Sequence, residues 1–93
     1  MMRIQIRLFG EFREAVGQDS VVLELPLGAD CLQALRELAA RHPRLGPLLF
    51  AGENVRDHIH VFLNGQNVNN LDGLATKLAD GDVLTFFTPI SGG

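Results

Sequence analysis

Cysteine, lysine and long apolar runs are all scarce in this 93-residue sequence. The one cysteine, Cys31, excludes an internal disulfide and is typical of a protein from a reducing compartment. No apolar run approaches the length of a membrane-spanning helix, and the N-terminal residues lack the apolar segment of a signal peptide. We therefore expect a cytoplasmic protein that does not bind a membrane.

Basic charge is scarce as well. Eight basic residues against eleven acidic ones give a net charge of −3, and the arginines are scattered between Arg3 and Arg56. Nucleic-acid binding usually requires a basic run with aromatic residues beside it, and the sequence has no such run. We expect no nucleic-acid partner. Lys77 is the only lysine, which limits the amines that the chain can offer.

The remaining composition, with 46% hydrophobic and 20% charged residues, is that of one folded domain with a single core. Alternation of apolar and polar residues predicts half-buried strands, and the turn that begins at Gly17 makes the first two an antiparallel hairpin. The segment 10–17 between them is predicted to be a connection with at most one helical turn. The predicted strands cover residues 3–9, 20–25, 58–63, 66–68 and 83–88.

One long helix is predicted between the second and third strands. Asp30 is a good N-cap, Gln33 completes a capping-box pattern, and Pro43 ends the helix because the residue before a proline avoids helical geometry. The helix therefore covers residues 31–42. The apolar stripe that it turns towards the sheet consists of Leu32, Leu35, Leu38 and Ala39.

The order β-β-α-β-β-β predicts an α+β domain in which one sheet is covered on one face by one helix. Placing the last strand parallel to the first requires a long connection, which the intervening chain provides. Residues 51–57 and 69–78 are predicted to be loops. We expect the domain to cover residues 1–88 and a flexible tail to cover residues 89–93.

Candidate catalytic and metal-binding residues are weak. His58 and His60 share one strand face but have no third ligand at a defined spacing, so a solvated strand face is favoured over a metal site. Cys31 begins the helix, where a packed, inert thiol is favoured over a nucleophile. Asp80 and Asp82 flank a turn glycine and are expected only to form the turn. We expect no metal, no cofactor bound by the chain itself and no active site, so the chain is not predicted to be an enzyme.

Three phenylalanines point to an interaction surface. If the apolar residues that alternate with them face the helix, Phe9, Phe62 and Phe87 face outwards on neighbouring strands. Exposed apolar patches of this kind usually mark a binding site. The alternative is that one or two of these rings fold back over loop residues.

The last five residues, Pro-Ile-Ser-Gly-Gly, form an unusual ending after an apolar strand. Gly92 and Gly93 carry no Cβ, so this backbone can enter clefts that are closed to other residues. Such a tail suits a protein whose reactive group is its terminal carboxylate, which another protein must take into its own active site. Two glycines in this place can also arise by chance.

Four segments together resemble the MoaD/ThiS family of ubiquitin-like sulfur carriers, and the resemblance extends over essentially the whole chain. They are residues 8–17, 62–65, 80–82 and 86–93, of which the last is the most specific. The resemblance implies a ubiquitin-like β-grasp fold, with a mixed sheet of four to five strands packed on one main helix.

The resemblance also implies a function. An adenylating activating enzyme would use ATP to adenylate the carboxylate of Gly93 and convert it to a thiocarboxylate, which donates sulfur to an acceptor enzyme or to the large subunit of a synthase. Gly92 and Gly93 would then be the reacting end of the chain. The residues expected to bind these partners are Phe9, Phe62, Phe87, Pro89, Ile90 and Ser91.

Two departures leave the acceptor open between molybdopterin, cysteine and other sulfur pathways. Thr88 stands where the molybdopterin branch commonly has a proline, and the segment 67–74 is longer than in short members. The longer segment resembles archaeal small modifiers and CysO-type carriers of cysteine biosynthesis. The alternatives are a protein modifier that is attached through Gly93 to target lysines, and a plain β-grasp binding module.

Overall fold

The computed structural model describes residues 1–89 and places a long first strand next to the last strand, in the middle of a mixed sheet. One helix of eleven residues covers one face of this sheet. Short 3-10 turns lie at Pro43–Leu45, Val68–Asn70 and Gly73–Ala75. In chain order the strands and helices are β1 Met2–Arg7, α1 Gly10–Val16, β2 Ser20–Leu25, α2 Cys31–Arg41, α3 Gly46–Leu49, β3 Phe50–Ala51, β4 Asn54–Val55, β5 His60–Leu63, β6 Gln66–Asn67 and β7 Val83–Phe87.

The five-stranded sheet has the order β2-β1-β7-β5-β6, and β1 pairs antiparallel with β2 over its full length. β1 pairs parallel with β7, and β7 pairs antiparallel with β5. Both the hairpin and the parallel pair that the sequence predicted are therefore confirmed. A mixed sheet with a parallel central pair and a crossing helix on one face is the β-grasp arrangement, so the predicted fold class is confirmed as well.

The helix α2 begins as the sequence predicts. The Asp30 carboxylate accepts a hydrogen bond from the Gln33 backbone N–H (2.9 Å), and the Gln33 side chain accepts one from the Asp30 N–H (3.0 Å). The helix ends at Arg41, one residue earlier than predicted, and His42 caps it.

The predicted apolar stripe of α2 was partly wrong. The buried residues are Cys31, Ala34, Leu35 and Leu38, whereas Leu32 and Ala39 are only half-buried. The helix is thus rotated from the predicted orientation, so that the small side chains of Cys31 and Ala34 lie against the sheet and Leu32 lies at its margin. The larger side chains of Leu35 and Leu38 lie on the buried face in both the predicted and the observed orientation of the helix.

The segment predicted as a connection is a seven-residue helix, α1, which closes one end of the core. Its Phe12 is 1% exposed, and its ring meets Phe86 of β7 edge to face with 4.8 Å between centroids. Gly17 ends the helix with φ +84°, a backbone conformation that favours glycine, and its N–H donates to the Arg13 carbonyl. The helix is too short to show a clear period in sequence, and it is stabilised by the burial of Phe12.

Several predicted boundaries were too wide. β1 ends at Arg7 instead of residue 9, β5 begins at His60 instead of residue 58, and β7 ends at Phe87. β5 begins and β7 ends at the paired residues His60 and Phe87, because a strand continues only where a neighbouring strand can form hydrogen bonds with it. The predicted loop 51–57 contains the small hairpin of β3 and β4. Within residues 1–89 no helix is long and apolar enough to span a membrane.

The burial of Phe12 leads to a prediction about stability. We expect Phe12→Ala to lower the free energy of unfolding by about 3–5 kcal/mol, because it removes a fully buried ring and leaves a cavity against Phe86. Urea denaturation followed by circular dichroism measures this. Phe9→Ala is the control, since Phe9 is 42% exposed, and it should cost about 1 kcal/mol or less. Equal losses from the two variants would show that α1 does not close the core.

Candidate functional site

The outer face of the sheet, opposite α2, carries a row of aromatic rings. On β5 and β7 the residues Val61, Leu63, Leu84 and Phe86 are buried in the core, so the residues between them face the other way. Those residues include Phe62 and Phe87, both half-buried. The predicted orientation of these two rings is therefore found in the structure.

These rings form a continuous stack across two strands. The Phe62 and Phe87 centroids are 5.4 Å apart with 26° between the ring planes, and the Phe87 and His60 centroids are 5.9 Å apart with 16° between planes. The sequence favoured a solvated strand face for His60 over a metal site, and the exposed His60 ring also belongs to this stack. The available signal was its spacing of two from Phe62, which places both side chains on one face of the strand.

Phe9 lies beside the stack, outside the strands. It precedes α1 as its N-cap residue with extended backbone angles (φ −135°, ψ 158°), so the predicted strand position was wrong although the ring is exposed. Phe9 and Phe87 line a shallow apolar recess of about 520 Å³ together with Thr88 and Pro89. We call Phe9, Phe62 and Phe87 the aromatic patch.

The C-terminal segment leaves the sheet at the aromatic patch. Thr88 is half-buried, and Pro89, which is exposed, lines the recess beside Phe87. Pro89 is the last residue that the structure describes. The predicted site residues Ile90, Ser91, Gly92 and Gly93 lie outside the described residues.

The turn residues near the patch have structural roles. The Asp82 carboxylate accepts hydrogen bonds from the Ala79 backbone N–H (2.7 Å) and the Asn64 side-chain amide (3.0 Å), and the Asn64 side-chain oxygen accepts one from the Val83 N–H (2.9 Å). The Asp80 carboxylate accepts from the Arg3 N–H at 2.8 Å. These bonds fix the start of β7.

The cysteine is an unreactive core residue. Cys31 is fully buried at the start of α2, and burial raises the pKa of its thiol to about 11, with the charges of Asp30 and Asp82 acting in the same direction. The thiolate is the nucleophilic form of cysteine, so this side chain is protonated and inert at neutral pH. This agrees with the inert thiol favoured from the sequence.

The two strand histidines do not come together with further ligands. His58 lies before β5, and His60 stacks on Phe87. Among residues 1–89, no group of three or more His, Cys, Asp or Glu side chains is placed to hold a metal ion.

A second, larger recess of about 660 Å³ lies on the other side of the molecule, between α2 and the hairpin of β3 and β4. Arg36, Glu53 and the ring of Phe50 line it. It is an open groove with mixed polar and apolar walls, and it contains no cluster of catalytic side chains.

Comparisons with known proteins show which family and which solved structures the whole chain is similar to. The model of the ThiS family matches residues 6–93. Small archaeal modifier protein 3 of Haloferax volcanii is 39% identical over 92 residues, which cover 99% of this chain and all of the relative. The crystal structure of SAMP1 from Haloferax volcanii, at 32% identity, superposes with a TM-score of 0.88 over 98% of this chain and 99% of that one. A chain of the BexX/CysO complex from Amycolatopsis orientalis, at 27% identity, gives a TM-score of 0.80 over 97% and 99% of the two chains.

The two faces of β7 lead to a prediction. We expect Phe87→Asp to fold with a loss of only about 1–2 kcal/mol, because the stacking on Phe62 and His60 is lost but the new carboxylate points to the outer face and stays hydrated. Phe86→Asp, one residue earlier, should unfold the protein, because it places an unpaired charge in the core where Phe86 is fully buried. Thermal denaturation of the two variants and the wild type compares them. If Phe87→Asp unfolds and Phe86→Asp does not, the strand faces are the reverse of those described.

Proposed function

Since the chain belongs to the ThiS family, we propose that it is a sulfur carrier, a protein cosubstrate whose working atom is the carboxyl carbon of Gly93. The observation that carries this proposal is that the family match runs through Gly92 and Gly93 to residue 93. Members of the family are small protein carriers and modifiers and not catalysts. The inert Cys31 thiol is consistent with chemistry at the chain end instead of at a side chain.

The proposed chemistry has two steps and takes place in the active site of a partner enzyme. In the first, a carboxylate oxygen of Gly93 attacks the α-phosphorus of ATP, and pyrophosphate leaves. In the second, a sulfur nucleophile attacks the carboxyl carbon, and AMP leaves, so that a C–O bond is replaced by a C–S bond. Splitting a difficult substitution into two steps with good leaving groups is the usual advantage of covalent activation. The chain itself supplies the carboxylate and the surface by which the enzyme holds it.

The aromatic patch is proposed as that holding surface. It lies next to Pro89, four residues before Gly93 in the sequence, so a partner that takes Gly93 into its active site binds close to the patch. Three rings on one face present a large, rigid apolar area, and aromatic residues of this kind often carry most of the energy of an interface. The complex of a similar chain with another protein, BexX, supports docking as the mode of action.

We expect the protein with Gly93 as its last residue, incubated with its activating enzyme, ATP and a sulfur source, to exchange one oxygen for sulfur at Gly93. The exchange should be located by digestion with trypsin and fragmentation, since oxidation of Met1, Met2 or Cys31 changes the intact mass by nearly the same amount. Cleavage after Lys77 isolates residues 78–93, a peptide that contains neither methionine nor cysteine. Absence of sulfur from this peptide would count against a carrier.

Two variants serve as controls for this experiment. One additional residue after Gly93 should abolish the exchange, because the carboxylate then belongs to a different residue. Phe87→Asp should leave the chemistry possible but weaken binding of the enzyme by at least about 1 kcal/mol, which corresponds to a roughly fivefold increase in KM. A Phe87→Asp variant with unchanged kinetics would exclude the patch as the docking surface.

A second candidate function is protein modification through Gly93, and the similarity to small archaeal modifier proteins favours it. The chain itself offers few acceptors, because seven of its eight basic residues are arginine, which is not a usable nucleophile. Lys77 is exposed, and its ammonium donates a hydrogen bond to the Gly28 carbonyl at 3.0 Å. Together with the α-amino group of Met1, it is the only amine available for self-attachment. Branching through two lysines of one molecule is therefore excluded, whereas single attachment to other proteins is allowed.

If the protein is a modifier, trypsin digestion of the native proteome should yield target lysines that carry residues 78–93 as a remnant. These conjugates should vanish on deletion of Gly92 and Gly93. Lys77→Arg keeps the trypsin site and should remove only self-conjugates. A proteome without the remnant, from cells in which the thiocarboxylate does form, would leave sulfur transfer as the function.

A further inference from the structure

A polar recess, distinct from the groove beside α2, adjoins the aromatic patch and shares Phe9 with it. Arg7, Phe9 and Arg13 line this polar recess of about 490 Å³, together with Asp19. Arg7 ends β1 on the same outer face as the aromatic rings, and its partner in β7 is Thr85, whose neighbour on the other side is Phe62. The arginine therefore borders the patch, at the end of the sheet from which Pro89 emerges.

Arg7 differs from the other arginines nearby in what its guanidinium contacts. Arg3 lies 3.8 Å from a Glu24 carboxylate oxygen, and Arg13 lies 3.6 Å from one of Asp19. The Arg7 guanidinium carbon instead lies 5.7 Å from the centroid of the Phe9 ring. Within residues 1–89 no carboxylate is within ion-pair distance of Arg7. Its charge is therefore balanced by water and by the face of an aromatic ring.

A partner that covers the aromatic patch changes the surroundings of this charge. Covering Phe9 removes water from the guanidinium that lies on its ring, and a charge that loses its hydration without gaining a partner costs several kcal/mol. A purely apolar partner surface would leave this cost uncompensated. A carboxylate would offset much of it, because the planar guanidinium can donate two parallel hydrogen bonds to a carboxylate while one of its faces remains on the ring.

We propose that the protein which covers the aromatic patch places an aspartate or glutamate side chain against Arg7, next to the apolar side chains that cover Phe9 and Phe87. This inference rests on the proposed function, in which the activating enzyme is that protein. It assigns to Arg7 a role in the selection of the partner, separate from the apolar contact made by the rings.

The charge of the whole chain makes this contact selective. With a net charge of −3, the protein repels an acidic partner at long range, so an acidic surface is accepted only where a positive charge faces it. At physiological ionic strength, charges act over about 8 Å, so the local charge at Arg7 decides the encounter. An acidic partner surface elsewhere on the molecule would not gain this contact.

The test compares Arg7→Gln with Arg36→Gln in adenylation by the activating enzyme. Both variants remove one positive charge from an exposed arginine, but Arg36 lies on α2, on the opposite side of the sheet. We expect Arg7→Gln to raise KM at least about fivefold with kcat unchanged, and Arg36→Gln to stay within about twofold of the wild type. Thermal denaturation checks that each variant is folded, as its exposed position predicts.

Three further measurements separate a charge contact from a general effect of the substitution. KM should increase in the order wild type, Arg7→Lys, Arg7→Gln and Arg7→Glu, because lysine keeps the charge but loses the planar pair of donors. Added salt should narrow the difference in KM between the wild type and Arg7→Gln, because salt screens the contact at Arg7, which only the wild type makes. Phe9→Leu should raise KM less than Arg7→Gln, since it removes the ring under the guanidinium but keeps the charge.

The outcomes distinguish a failure of the proposed function from a failure of the contact at Arg7. If the wild type is not adenylated at all, the proposed function fails, and the role of Arg7 fails with it. If the wild type is adenylated and Arg7→Gln behaves like Arg36→Gln, the sulfur-carrier proposal stands and the contact at Arg7 is overturned. If Arg7→Gln raises KM but added salt leaves the difference from the wild type unchanged, the carboxylate is overturned as the group that meets Arg7.

Discussion

The parallel pairing of β1 with β7 is the contact on which the rest of the structure depends. It joins Gln5, Ile6 and Arg7 to Val83, Leu84 and Thr85, from opposite ends of the chain. Within the described sheet the β1–β2 hairpin and the β5–β6 hairpin are connected only through β7, which pairs with β1 on one side and β5 on the other. Closing so long a loop costs entropy, which the burial of Ile6, Leu84 and Phe86 beneath α2 offsets. The Asn64 hydrogen bonds fix where β7 begins, and two bonds from β1 fix its register: the Arg3 N–H donates to the Asp80 carboxylate, and the Gln5 N–H donates to the Asp82 carbonyl.

This register determines both faces of β7. One set of alternate residues, Leu84 and Phe86, completes the core, where Phe86 meets Phe12 of α1. The other set, Thr85 and Phe87, lies on the outer face, where Phe87 stacks between Phe62 and His60. The same strand therefore anchors the fold and presents the surface beside Pro89. A shift of one residue would exchange the two sets and remove both the core contact and the aromatic patch.

The outer face combines apolar area with local charge. Rings supply contact area at a small cost in side-chain entropy, and Arg7 at their border adds a positive charge. The inner face contributes nothing chemically reactive, since its only thiol is buried and protonated at neutral pH. An outer face built for contact above an unreactive core suits a carrier or a modifier. In such a protein the partner would supply the catalytic groups, and the chain would supply the contact surface and its C-terminal carboxylate.

The sequence alone determined the features that follow from local spacing. Alternation identified the strands, the pair Asp30 and Gln33 identified the start of α2, and the spacing of Phe62 and Phe87 within their strands identified their outward orientation. Only the tertiary structure decided features that depend on residues distant in the chain. Phe12 is a core residue because Phe86 is there to receive its ring, α2 turns Cys31 and Ala34 inwards because of the sheet below it, and Arg7 borders the patch because Phe9 and β7 lie beside it. Local periodicity carries no information about such neighbours, because tertiary packing determines which distant residues come into contact.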